Sequence, residues 1–232
     1  LKLVLLPGMD GTGELFADFV KYYPSDCVVI SLPQSGAQDY VSLSKRVAKQ
    51  LPDGDIVLLA ESFSGGLAIE LIKSDLNICT RVKGIIFVAS FLSSPNKVMI
   101  KLALKLPIHV LASVSCGSIL HQHLFFDGRA SRELLCQFTR LVKSVPETTL
   151  KARLEVMLHQ RLPPILCDIP ILYLRASKDR LVSVKKGNEF SAAFSDLTYE
   201  ELKGPHFLLQ IEPKKSAEIV VKYVNVLSWS EA

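Results

Sequence analysis

The sequence predicts an α/β protein whose mostly parallel sheet carries helices on both faces. Three observations predict it. Short apolar runs recur along the chain, bounded by Gly, Pro and polar residues. Segments with helical spacing separate most of them. The alternation breaks once, across residues 95–164, which read as helical without a strong strand. Apolar runs of this length fit strands buried on both faces. Strands alternating with helices build βαβ units and therefore a parallel sheet.

The first strand is residues 1–6 (LKLVLL), ended by Pro7-Gly8. Residues 14–22 follow as a helix with Leu15, Phe16, Phe19 and Val20 on one side. Residues 27–32 (CVVISL) form the second strand, and residues 42–51 place Leu43, Val47 and Leu51 on one helical stripe. The third strand is 56–60 (IVLLA), which runs through Glu61–Gly66 into a helical pattern over 67–72. Residues 82–89 make the fourth strand. Beyond the insertion come a strand at 169–174, a helix at 185–194, a strand at 197–202 and a helix at 214–227. Pro107, Gly117, Gly128 and Pro146 divide the insertion into helices, and Pro163-Pro164 closes it.

Composition narrows the function classes. The chain has 232 residues, 49% hydrophobic and 22% charged, which is globular and not disordered. A net charge of +4 with scattered Lys and Arg gives no stripe for nucleic acid. The five cysteines, Cys27, Cys79, Cys116, Cys136 and Cys167, are odd in number and widely spaced. They form neither a disulfide framework nor a CxxC metal site, and point to reduced thiols in the cytoplasm. Cys27 and Cys79 adjoin apolar segments and read as small core residues. No apolar run approaches the roughly 18 residues that span a bilayer. The chain opens directly on a strand, with no signal-peptide layout.

The third strand leads into the chemistry. Acyl transfer needs a hydroxyl held at a sharp strand-to-helix turn, where backbone N–H groups and the helix N-terminus face the developing oxyanion. Ser62 sits at such a turn. The pattern G-x-S-x-G is altered here, with Ala60 and Ser64 in place of the glycines, yet both are small. Ser62 is the candidate nucleophile. Ser64 is its rival, and a plain helix cap is the competing structural role for either serine.

Asp179 follows the strand at 169–174 and is the candidate to orient an imidazole. His206, in the turn Gly204-Pro205-His206 after the last strand, is the candidate base. Taken singly, each reads equally well as a surface loop residue. Their order, Ser then Asp then His with each after a strand, is what ties them together. The other histidines, His109, His121, His123 and His159, fall in the insertion, and no Cys or carboxylate completes a set around His121 and His123. No metal and no cofactor are expected.

The Gly-rich loop after the first strand, Pro7-Gly8-Met9-Asp10-Gly11-Thr12-Gly13, lacks the Lys-Ser/Thr of a phosphate-binding loop. It fits better as one side of an oxyanion hole, through the backbone N–H of Met9, with Phe63 supplying the other. Such a donor is worth about 3 kcal/mol of barrier. A carboxylate facing the oxyanion would oppose it, so Asp10 is expected to turn away and brace the loop.

With these pieces in place, the chain resembles the α/β-hydrolase superfamily, that is, serine esterases, lipases and thioesterases. The resemblance is carried by Pro7–Gly11, Ala60–Gly65, Asp179–Val182 and Gly204–Phe207. The loop at 7–13 also looks like that of plant esterase/lipase/thioesterase proteins. The sequence departs from the pattern at Pro7, where many members carry His, and the first strands of the full fold are missing. The resemblance therefore implies a shortened sheet of about six strands. It implies a core domain of residues 1–94 and 165–232 with a helical cap, 95–164, over Ser62. An apolar cap, with Phe125-Phe126 together, favours an apolar acyl group. The implied activity is hydrolysis of a small-molecule carboxylic ester or thioester through an acyl-enzyme. An acyltransferase using the same intermediate and a non-catalytic ligand-binding homologue are the alternatives. Residues 97–106 (KVMIKLALKL) are amphipathic and basic. They read as a cap helix, with contact to a membrane surface as the alternative.

Overall fold

The computed structural model describes residues 1–113, 115–161 and 169–229. Six strands form one open sheet: β1 (Lys2–Leu6), β2 (Cys27–Val29), β3 (Ile56–Glu61), β4 (Val82–Val88), β5 (Ile171–Ala176) and β6 (Leu197–Leu202). Their order is β2-β1-β3-β4-β5-β6, and every neighbouring pair is parallel. The expected shortened, mostly parallel sheet is thus an all-parallel one.

The pleat sorts side chains onto two cores. In register across four strands, Leu5, Leu59, Ile86 and Leu172 face one way. Their neighbours Val4, Leu58, Ile85 and Ile171 face the other. Both rows are buried at 2% exposure or less, so these strands carry apolar residues continuously and cannot alternate with polar ones. On the first face lie α1 (Ala17–Tyr22) and α12 (Pro213–Trp229), contributing Phe19, Val220 and Val224. On the second lie α2 (Tyr40–Val47), α3 (Ser64–Ser74) and α10 (Val184–Ala193), contributing Leu43, Leu67 and Phe190.

Several boundaries differ from the sequence reading. The second strand pairs only over Cys27–Val29. Ile30 donates to Leu5 O, and the Leu32 amide turns to the Gly11 carbonyl at 2.7 Å, so the end of this segment holds the loop after β1. The helix read at 14–22 begins as a 3-10 turn, Glu14–Phe16, before α1. Two short helices were not anticipated: α4 (Leu76–Arg81), capped by the Asp75 carboxylate, and α11 (Leu208–Ile211).

Between β4 and β5 the described residues form five helices: α5 (Lys97–Lys105), α6 (Ile108–Ser113), α7 (Ser115–Phe126), α8 (Arg132–Ser144) and α9 (Glu147–His159). They build a third cluster around Phe126, Phe138, Leu141 and Leu150, against which Met9, Phe125 and Phe207 pack. The expected close of this insertion at Pro163-Pro164 lies outside the described residues. Cys27, Cys79 and Cys136 are free, with Cys27 and Cys79 packed against the two sheet cores. The Cys116 side chain and Cys167 lie outside the description. Among the described residues no helix is long and apolar enough to cross a membrane. None of them groups three His, Cys, Asp or Glu in a way that could hold a metal ion.

Candidate active site

Because all six strands run one way, the loops that follow β1, β3, β5 and β6 emerge at a single edge of the sheet. These are the loops that carry Met9, Ser62, Asp179 and His206. Ser62 is the first residue after β3, and its φ of 49° is a left-handed conformation that a non-glycine residue adopts only under constraint. The constraint is visible: the Ser62 amide donates to Val88 O at 2.9 Å, while its carbonyl already accepts the Gly65 amide that opens α3. Close packing enforces the turn from the helix side. A Cβ on Gly66 would lie 2.3 Å from the Tyr40 ring.

The three predicted polar residues meet. His206 Nε2 lies 3.0 Å from Ser62 Oγ, and His206 Nδ1 lies 2.8 Å from Asp179 Oδ2. The Asp179 side chain is 2% exposed and its other oxygen, Oδ1, accepts from the Leu181 and Val182 amides at 2.8 Å each. The Asp and His loops are tied together by the Lys178 amide, which donates to Gly204 O at 2.9 Å. Neither serine side chain caps the helix in this geometry. The Ser62 hydroxyl faces His206 and not the helix: the residue capping α3 is Phe63, without a side-chain cap bond. Ser64 is fully buried and donates to Pro7 O, so it laces the loop after β1 to the head of α3.

The loop at 7–13 stands beside Ser62. Leu6 and Ala60 are register partners, and a Cβ on Gly8 would lie 3.9 Å from the Ser62 Cβ. The Phe63 amide sits at the start of α3, where the helix offers no acceptor for it. Asp10 braces its own loop. Its Oδ2 accepts from both the Thr12 amide (2.9 Å) and the Thr12 hydroxyl (2.5 Å).

Arg153, the Tyr40–Gln160 pair and the Glu61–Gln210 pair brace the site through contacts that no sequence pattern marks. Arg153, on α9, is fully buried. Its guanidinium donates to the carbonyls of Met9 (2.8 Å), Asp10 (3.0 Å) and Pro33 (2.9 Å) and to Gln38 Oε1 (3.0 Å). Burial lowers its pKa to about 10, against a partly offsetting pull from the Asp10 charge. Tyr40 places its hydroxyl 3.0 Å from Phe63 O and 2.8 Å from Gln160 Oε1, linking the turn to the residue that follows α9. Glu61, the last residue of β3, is buried, and Gln210 Nε2 donates to it at 3.1 Å. Burial pushes the Glu61 carboxyl up to about 7, and the nearby Asp10 charge adds to this.

His206 feels opposing influences. Burial disfavours its cation, but the Asp179 charge and hydrogen bond, with a further contribution from Glu61, outweigh it and leave the pKa above the ordinary 6.5. Among the remaining histidines, His121 packs in an aromatic group with Phe125 and Phe138, and His123 meets Arg180.

Solved structures superpose on nearly the whole chain. An esterase from Exiguobacterium antarcticum matches with a TM-score of 0.81 at 15% identity, covering 97% of this chain and 91% of its own. A bromoperoxidase from Bacillus anthracis matches at 0.79 and 14%, with the same coverage. A hydrolase from Oleispira antarctica matches at 0.78 and 12%, covering 97% of this chain and 90% of its own. The chain has the α/β-hydrolase fold. No family model and no curated protein matches the sequence. An esterase and a bromoperoxidase share this α/β-hydrolase architecture, so activity has to be argued from the site and not from the fold.

Proposed function

We propose that the protein is a serine hydrolase that cleaves a carboxylic ester or thioester with an apolar acyl part. One observation carries the reading: the unbroken chain of contacts from Ser62 Oγ to His206 Nε2 and from His206 Nδ1 to Asp179. His206 takes the Ser62 proton as the hydroxyl oxygen bonds to the acyl carbon. The Met9 and Phe63 amides are the donors to the resulting oxyanion. His206 then returns the proton to the leaving alcohol or thiol. Water repeats the sequence on the acyl-enzyme, with His206 as base again. Asp179 holds the imidazole through its hydrogen bond to Nδ1.

The apolar preference rests on the surroundings. Met9 and Phe207 flank the site, and both pack on the aromatic and aliphatic cluster of α7 and α8. Ser62 and His206 are only 8% and 6% exposed, so the reaction would take place in a largely water-excluded setting.

The direct test is covalent labelling with a fluorophosphonate. The native protein is expected to be labelled at Ser62 and the Ser62→Ala variant left unlabelled. Equal labelling of both would sink the reading. A series of p-nitrophenyl esters then ranks acyl lengths, and added alcohols separate water from an alcohol as acceptor.

Glu61 gives the reading a pH signature. As base, His206 must be neutral, and Glu61 helps hold its pKa above 6.5. Glu61→Gln is therefore expected to move the acid limb of kcat/KM to lower pH. The same variant changes stability. The Glu61 carboxyl titrates near 4.5 when unfolded and near 7 when folded. Its contribution is full below pH 4.5 and is lost as pH rises through about 7. The raised pKa of His206 acts in the same sense at higher pH. The unfolding free energy of the native protein, from denaturant titrations, should fall relative to Glu61→Gln between pH 4.5 and 8, by about 3 kcal/mol at most. Parallel curves would refute this account.

A further inference from the structure

The cap carries a surface that its own packing leaves unused. On α5, Ile100 is buried, while Lys97, Lys101 and Lys105 are exposed at successive turns. Beside this stripe, Val98 and Leu102 stand one turn apart, 79% and 58% exposed. After the turn at Leu106-Pro107, Val110 is 55% exposed, and on α7 Ile119 and Leu120 reach 72% and 54%. Scattered single exposed aliphatics are ordinary, but Val98 and Leu102 stand on adjoining turns beside the lysine stripe and form a local apolar patch.

The charge pattern of the same stretch is one-sided. Residues 96–126 contain no Asp or Glu. On α9, which packs against α5, Glu147 is engaged by Lys151 at 2.8 Å and Glu155 faces His159 at 3.6 Å. The lysine stripe on α5 therefore has no acidic counterpart on its own helix or on the two that follow.

We propose that this face of the cap, built on Lys97, Val98, Lys101, Leu102 and Lys105, docks on an anionic lipid surface. The partner must offer negative charge to the lysines and hydrocarbon to the aliphatic side chains a few ångströms away. A lipid headgroup boundary offers both. A second copy of the same face would set one lysine stripe against another. The helix is nine residues long, about 14 Å, which suits lying in the interface plane and not crossing it. This surface does not depend on the hydrolytic reading, because none of its residues touches Ser62, Asp179 or His206.

The test is flotation of the full chain with vesicles of phosphatidylcholine alone or with 30% phosphatidylglycerol. The protein is expected to float with the anionic vesicles, less so at high salt, and weakly with phosphatidylcholine. Each lysine near such a surface is worth about fivefold in binding. The Lys97→Gln, Lys101→Gln, Lys105→Gln triple variant should thus bind about a hundredfold more weakly. Val98→Ser with Leu102→Ser should weaken binding at any salt. All five positions are exposed, so thermal midpoints should stay at the native value. Hydrolysis of a short soluble ester should also be unaffected, which keeps failure here separate from failure of the hydrolase reading. Three outcomes would overturn the proposal: no flotation with anionic vesicles, equal flotation of the variants, or lipid-free self-association abolished by the serine pair.

Discussion

Asp179→Asn is expected to lower kcat about ten-thousandfold while leaving KM within a few-fold of the native value. The direction follows from how Asp179 is held. Its Oδ1 accepts two amides, Leu181 and Val182, at 2.8 Å each. An asparagine keeps those bonds only by placing its carbonyl oxygen there, which leaves its NH₂ facing His206 Nδ1. A donor at that position requires an unprotonated Nδ1, so the neutral ring carries its proton on Nε2, towards Ser62. The imidazole then cannot accept the Ser62 proton, although no atom has moved far. It also loses the charge that stabilises its cation, so its pKa should fall below that of the native protein. Steady-state hydrolysis of a p-nitrophenyl ester measures the first effect, and histidine NMR titration the second. A loss of less than tenfold would mean that Asp179 is not the group orienting His206.

This site was legible in the sequence for a topological reason. A parallel sheet delivers the residue after every strand to the same edge, so finding Ser62, Asp179 and His206 after strands was enough to predict that they meet. The strands were legible because both faces are buried and their apolar runs are continuous. The second strand was overread because Ile30 and Leu32 are as apolar as paired residues, yet they serve to pack and to hold Gly11. The Asp75 cap could have revealed α4, since an Asp ahead of an apolar turn is a helix-start signal.

The braces were not legible. Arg153 reaches Met9 across 144 positions, Gln210 reaches Glu61 across 149, and Gln160 reaches Tyr40 across 120. No periodicity or spacing marks such pairs, and a buried Arg reads in a sequence like any surface Arg. What they share is direction. Arg153 lies on α9 and Gln160 follows it directly, and both act on loops beside Ser62. From α7, Phe125 O accepts the Phe207 amide at 3.3 Å next to His206. The helices between β4 and β5 thus contact the site from two sides, at the loop after β1 and at the turn holding the histidine.

The strongest consequence falls on Arg153. Its replacement by Met removes donors from four oxygens, three of them main-chain carbonyls, in a place where water does not substitute for them. Buried acceptors left without partners cost about 1–3 kcal/mol each, partly offset here because an unpaired buried cation is removed as well. A net destabilisation of about 3 kcal/mol is expected, read from denaturant midpoints. In protein that remains folded, kcat should fall about a hundredfold, with KM less affected. The carbonyls that Arg153 holds fix the peptides on either side of Asp10, and with them the loop that presents the Met9 amide. Arg153→Lys should recover part of the stability but little of the rate, because one ammonium cannot span acceptors arranged around a planar fork. Gly11→Ala reaches the same joint from the other side. Gly11 has a φ of +72°, and a Cβ there would lie 2.4 Å from Arg153 Nη1, so the substitution strains the loop and displaces the guanidinium together. The two variants should share one phenotype, and the double variant should cost clearly less than the sum of the single costs, because both break one contact. Additive losses would show that Arg153 and Gly11 act separately, and that α9 does not set the loop after β1 through this arginine.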